Sequence, residues 1–97
     1  MIIVHDIFIC KPGNASKMAK KFKEAMSDMK EMTHIMTDVT GQFNKVIMVS
    51  QFESLSAYEQ SFQKYMNQSD EMKKMQKAME GYHDMYITGS REIYRVM

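Results

Sequence analysis

Tryptophan is absent from these 97 residues, and cysteine and proline occur once each. A lone Cys10 excludes an internal disulfide, and no cysteine–histidine cluster has the spacing of a zinc site, so no metal is expected. Apolar runs such as Ile2 to Val4 are far too short to cross a bilayer, and no charged segment leads into a longer apolar one. No membrane association and a cytoplasmic location are therefore expected. Charge of one sign is missing too: 13 Lys+Arg stand against 12 Asp+Glu, with the two signs interspersed. Such a chain offers no basic field to a phosphate backbone, so no nucleic acid partner is expected. With only four glycines there is no nucleotide-binding loop, and no nucleophile–histidine–acid set is recognisable.

What is present is enough for one domain spanning 1–97, because 44% of the residues are apolar and a chain of this length buries roughly 65% of its unfolded surface. Residues 2–11 are β-branched and apolar and stop at Pro12-Gly13, which predicts a first strand and its exit turn. From Ala15 to Met32 the residues Ala15, Met18, Phe22, Ala25, Met26 and Met29 keep the three-four spacing of one helix face. Residues 34–40 and 45–53 alternate around a Gly/Asn-bearing connection, predicting a hairpin. Ser56-x-x-Glu59 has the form of a capping box for a second helix carrying Leu55, Tyr58, Phe62 and Met66 up to Asn67-Gln68-Ser69. Met72, Met75, Met79, Tyr82 and Tyr86 extend a third helical stretch that Gly81 weakens, and residues 91–97 alternate as a last strand.

The order β-α-β-β-α-α-β is that of an α+β, ferredoxin-like split βαβ, a four-stranded antiparallel sheet with its helices on one face. If Thr40 opposes Lys45, then Ile35, Thr37, Val39, Val46, Met48, Ser50 and Phe52 share one face. His34, Met36, Asp38, Lys45, Ile47, Val49 and Gln51 share the other, which is half apolar and has reason to meet a second copy of itself.

Four segments carry a resemblance: Ile9-Cys10-Lys11-Pro12-Gly13, Asp38 to Asn44, Gln51 to Glu59, and Arg91-Glu92-Ile93-Tyr94-Arg95-Val96. In that order and separation they resemble the dimeric α+β barrel superfamily over essentially the whole chain, in particular its NIPSNAP-like and antibiotic-biosynthesis-monooxygenase-like members. The resemblance implies a homodimer of face-to-face sheets, with a small-molecule pocket between sheet and helices in each subunit. It does not fix a chemistry, since the superfamily holds monooxygenases, haem-degrading enzymes, isomerases and regulatory modules. Where haem-degrading members carry an Asn, a Trp and a ligating His, this chain has Asp6, Ser61 and about Gln76. Where cofactor-free monooxygenases of this type carry a Trp, it has Phe52. No cofactor is expected.

Asp6 is the leading candidate, a carboxylate among Ile2, Val4, Phe8 and Cys10 on the helix-facing side of the first strand. It is read either as a proton-handling group aided by Tyr58 or Tyr82, or as a structural acid paired with a cation or a tyrosine hydroxyl. The expected pocket lining is Phe8, Met48, Phe52, Phe62 and Met79, suited to a small hydrophobic or phenolic ligand. The expected activity is a cofactor-independent oxygenation or isomerisation; the competing expectation is a non-catalytic ligand-binding or stress-related accessory dimer. His5 and His34 are read as interface histidines near Asp38 or Gln51, and His83 as a residue placed to bond terminal helix carbonyls. Cys10 reads as a small core hydrophobe, and Arg91 and Arg95 as partners of acids across the dimer or of an anionic ligand within the subunit. Most of the 13 methionines fall at helix-core spacing, which explains them without copper.

Overall fold

The computed structural model describes residues 1–67 and 69–97. Strand β1 is Ile2–Cys10, helix α1 Ala15–Ala25, β2 Met32–Thr37, β3 Lys45–Phe52, α2 Leu55–Asn67, α3 Ser69–Ala78 and β4 Tyr86–Arg95. A short 3-10 turn, Tyr82–Asp84, joins α3 to β4. The strands lie in the order β2-β3-β1-β4 with each neighbouring pair antiparallel, the ferredoxin-like arrangement expected from the element order. Gln68 of the expected helix break, and the side chains of Tyr65, Met66 and Met72, lie outside the described residues.

Helix α1 buries Met18 and Phe22, one turn apart, against Cys10, Val46 and Met48. It ends at Ala25 rather than continuing to Met32. The Ser27 hydroxyl donates to the Glu24 carbonyl, and successive turns from Met26 to Met29 and Met29 to Met32 carry the chain to the sheet edge, where the Gln51 amide bonds to the Glu31 carbonyl. Met26 and Met29 still pack inward, which is why helical spacing outlasts the helix.

The hairpin keeps its expected faces, but its register is moved by two residues: Ile35 lies opposite Met48 and Thr37 opposite Val46. A shift of two leaves every side chain on the same side. The connection is longer than a tight turn, with Phe43 and Asn44 at positive φ, and it is closed by the Lys45 amide donating 2.9 Å to the Asp38 carboxylate. Helix α2 is capped by Ser54, whose hydroxyl accepts from the Ala57 amide at 3.1 Å; the cap therefore sits two residues before the expected Ser56. Strand β4 starts at Tyr86, so Tyr86 belongs to the sheet and not to a helix. Gly89, expected to precede the strand, lies within it opposite Phe8, whose ring comes within 3.4 Å of where a glycine Cβ would stand.

All three helices cover one face of the sheet, and the core there falls into two parts. Cys10, Met18, Phe22, Val46 and Met48 form one; Ile2, Val4 and Phe52 form the other. The division runs through Asp6 on β1, between Val4 and Phe8, and Ser50 on β3, between Met48 and Phe52. Opposite Asp6 on β4 stands Arg91. A polar stripe thus crosses the helix-facing side of an otherwise apolar sheet. On the other face His5 and Val49 pair, as do Val49 and His34, with Ile47 opposite Met36.

Candidate functional site

The two halves of the core part over this stripe. A cavity of about 150 Å³ lies between sheet and helices there, walled by Met26, Met29, Met32, Met48, Met75, Phe52 and Phe62 and carrying the polar groups of Asp6, Ser50, Tyr58, Ser61 and Arg91. Arg91 donates from Nε to Oδ1 of Asp6, and the Asp6 side chain is 16% exposed against 50% for Arg91. An ion pair with one half-exposed member contributes about 1 kcal/mol or less, whereas taking a carboxylate out of water costs several. The pair therefore does not explain its own position by stability.

Tyr58 is placed by the first turns of α2. Its ring tilts against Phe52 at 4.9 Å and meets Phe62, one turn further on, at 4.8 Å. The Arg91 guanidinium lies over the same two rings, 5.8 Å from the centre of Tyr58 and 5.5 Å from that of Phe62. The Tyr58 hydroxyl is shut off from solvent, and no hydrogen bond of acceptable geometry reaches it among the described residues. Leaving such a group unpaired costs about 1–3 kcal/mol. Burial pushes its pKa above the ordinary value of 10.0, the Asp6 charge adds to this, and the guanidinium alongside only partly offsets it. The phenol is therefore held protonated.

A second, wider cavity of about 490 Å³ opens beside the first and shares Met26, Met48 and Met75 with it. Phe8, Phe22, Met79, Tyr82 and His83 line it. The expected pocket is thus divided: Phe52 and Phe62 line the smaller cavity, Phe8 and Met79 the larger, and Met48 both. Of the three candidate catalytic residues, Asp6 and Tyr58 come together, while Tyr82 lines the wider space, its ring tilted against His83 at 3.9 Å and stacked on Tyr86 at 5.9 Å. The smaller cavity is the stronger candidate because the Asp6–Arg91 charges meet an apolar wall in it.

Arg91, expected to meet an acid across the dimer or an anionic ligand within the subunit, pairs with Asp6 of its own subunit, because the antiparallel register sets it beside that residue on the helix-facing side. A count of pairing from Val4 opposite Ile93 gives the same neighbour, so the signal was available once the β1–β4 register was fixed. Met26, Met29, Met32 and Met75 were not in the expected lining. His5 meets Tyr94 edge-on at 5.3 Å, and the Tyr94 hydroxyl donates to the Glu92 carboxylate. Within the subunit the Asp38 carboxylate accepts from the Lys45 amide and closes its own loop. Buried Cys10 donates to the Met18 sulfur at 3.2 Å, and desolvation pushes its thiol pKa up. Among the described residues, no three of His, Cys, Asp and Glu gather as a metal site, and no helix is long and apolar enough to cross a membrane.

In fold the chain is similar to solved NIPSNAP-domain and antibiotic-biosynthesis-monooxygenase-like proteins. An uncharacterised NIPSNAP domain protein from Burkholderia xenovorans superposes with a TM-score of 0.81 at 9% identity, over 100% of this chain and 95% of that one. A NIPSNAP family protein from Agrobacterium tumefaciens gives 0.79 at 13% identity, over 99% of this chain and 92% of that one. A candidate antibiotic biosynthesis monooxygenase from Chloroflexus aurantiacus gives 0.70 at 10% identity, over 99% and 92%. At these identities the likeness is one of fold. No sequence-family model matches the chain, and no curated protein matches it in sequence.

Proposed function

We propose that the protein is a homodimer, formed through the uncovered sheet face, whose subunits each bind a small, mainly apolar ligand carrying a phenol, enol or carbonyl oxygen in the cavity over Asp6. Asp6 is the proton-handling group of a cofactor-independent oxygenation or isomerisation, aided by Tyr58. The observation that carries this reading is the Asp6–Arg91 pair set in a cavity otherwise walled by methionine and phenylalanine side chains. An apolar space near 150 Å³ accepts a benzene-sized ring, and thioethers adapt to varied apolar shapes.

A second reading, a non-catalytic ligand-binding or accessory dimer, is favoured by one fact: Asp6 already has one oxygen occupied by Arg91. The ligand site common to both readings is tested by methyl-labelling the methionines and titrating phenol and toluene in an NMR experiment. Shifts at Met29, Met32, Met48 and Met75, with Met1 and Met97 unmoved, are expected. No response from those four methyls to either compound would overturn the ligand site.

A further inference from the structure

Resting on the ligand-site reading above, we propose that the two cavities are lobes of one site for an elongated apolar molecule, its ring in the smaller lobe over Asp6 and an unbranched hydrocarbon chain reaching into the larger. Size gives the first argument. Sites for small molecules run to about 300–1,000 Å³. The smaller cavity, near 150 Å³, holds no more than one ring, while its neighbour of about 490 Å³ brings the joined space into that range. A one-ring ligand would fill the lesser part and leave the apolar side chains of Phe8, Phe22 and Met79 without a covering.

The partition between the lobes gives the second. Met26, Met48 and Met75 line both, and they come from three places in the fold: the turn after α1, strand β3 and helix α3. Methionine is unbranched, with three rotatable side-chain bonds, and is the apolar residue that yields most easily to a neighbouring group. A partition of valine or isoleucine, stiff at χ1, would keep the lobes apart. Three thioether side chains fold aside by rotation alone. A fused second ring is broader than a chain and needs a wider breach of the same wall, so a chain is the occupant this partition admits at least cost.

Polarity along the path is the third. In the larger lobe Phe8 and the fully buried Phe22 meet ring to ring at 5.1 Å and form an apolar inner wall. Gln76, on α3, and Glu80 and His83, beyond it, are exposed, so the polar groups of this lobe gather where it meets solvent. A chain entering from the smaller lobe therefore lies against apolar side chains along its length and ends among polar ones.

The test is a series of para-alkylphenols, from phenol to para-hexylphenol, titrated into the methyl-labelled protein and followed by NMR. Of the two lobes, Met29 and Met32 line only the smaller and Met79 only the larger. Phenol is expected to move Met29 and Met32. As the chain lengthens, the Met79 methyl is expected to join them and the affinity to rise about fourfold for each methylene buried. Met79→Trp fills the larger lobe and is expected to abolish most of that rise. Affinity that levels off after para-methylphenol, a Met79 methyl unmoved by para-hexylphenol, or an undiminished rise in Met79→Trp overturns the elongated ligand while the ring site stands. Failure of every compound in the series to move Met29 and Met32 removes the ligand site itself.

Discussion

At the scale of single residues the informative ones are those that lower stability where they stand. Tyr58 buries a hydroxyl with no partner among the described residues, so Tyr58→Phe should raise the unfolding free energy of the ligand-free protein by about 1 kcal/mol, read from urea denaturation. A tyrosine at home in this environment would lose stability on the same change. The phenol of Tyr58 and the thiol of Cys10 both have pKa values raised by burial above their ordinary 10.0 and 9.0. Each binds its proton more tightly folded than unfolded. Their contribution is complete below the ordinary value and is lost as pH climbs through the raised one. The thermal midpoint should therefore fall at alkaline pH, starting near the thiol's 9.0, and Tyr58→Phe should remove the later part of the fall. The sequence marks Asp6 because a carboxylate in an alternating apolar strand breaks the pattern. It does not reveal the Arg91 partner, since pairing between the first and last strands is a long-range fact that local spacing does not contain.

Elements were legible where a periodic face is long and regular. β1 and the start of α1 follow from β-branched residues, Pro12-Gly13 and the Met18–Phe22 spacing. Boundaries were less legible, for separate reasons. Past Ala25 the methionines go on facing the core from a chain of turns, so spacing continues without a helix. Thr88-Gly89-Ser90 has turn composition, yet pairs with Ile9, Phe8 and Ile7 because a large ring on the neighbouring strand lies beside the glycine. At the start of α2 two serines compete for the cap. Ser54→Ala should cost about 1 kcal/mol while Ser56→Ala stays near neutral, because Ser54 accepts from the Ala57 amide. Equal effects in thermal unfolding would contradict the assigned cap.

Across the whole molecule, a one-sided helix layer has two consequences. The covered face splits into two apolar clusters with the polar stripe of Ser50, Asp6 and Arg91 between them. The uncovered face sets Ile47 and Met36 side by side, with Val49 between His5 and His34. Faces were readable from alternation even with the hairpin register off by two, because a shift of two conserves sidedness. Ile47→Glu should convert a dimer into a folded monomer in sedimentation velocity at micromolar concentration, since a charge there would be buried against its copy. An unmodified protein that already sediments as a stable monomer would remove the dimer. The functional claim itself turns on occupancy of the smaller cavity. Its most direct measurement is a crystal structure grown with phenol. The ring is predicted between Met48, Phe52 and Phe62, its oxygen towards the Asp6–Arg91 pair; a cavity left empty, or phenol bound only elsewhere, would contradict it.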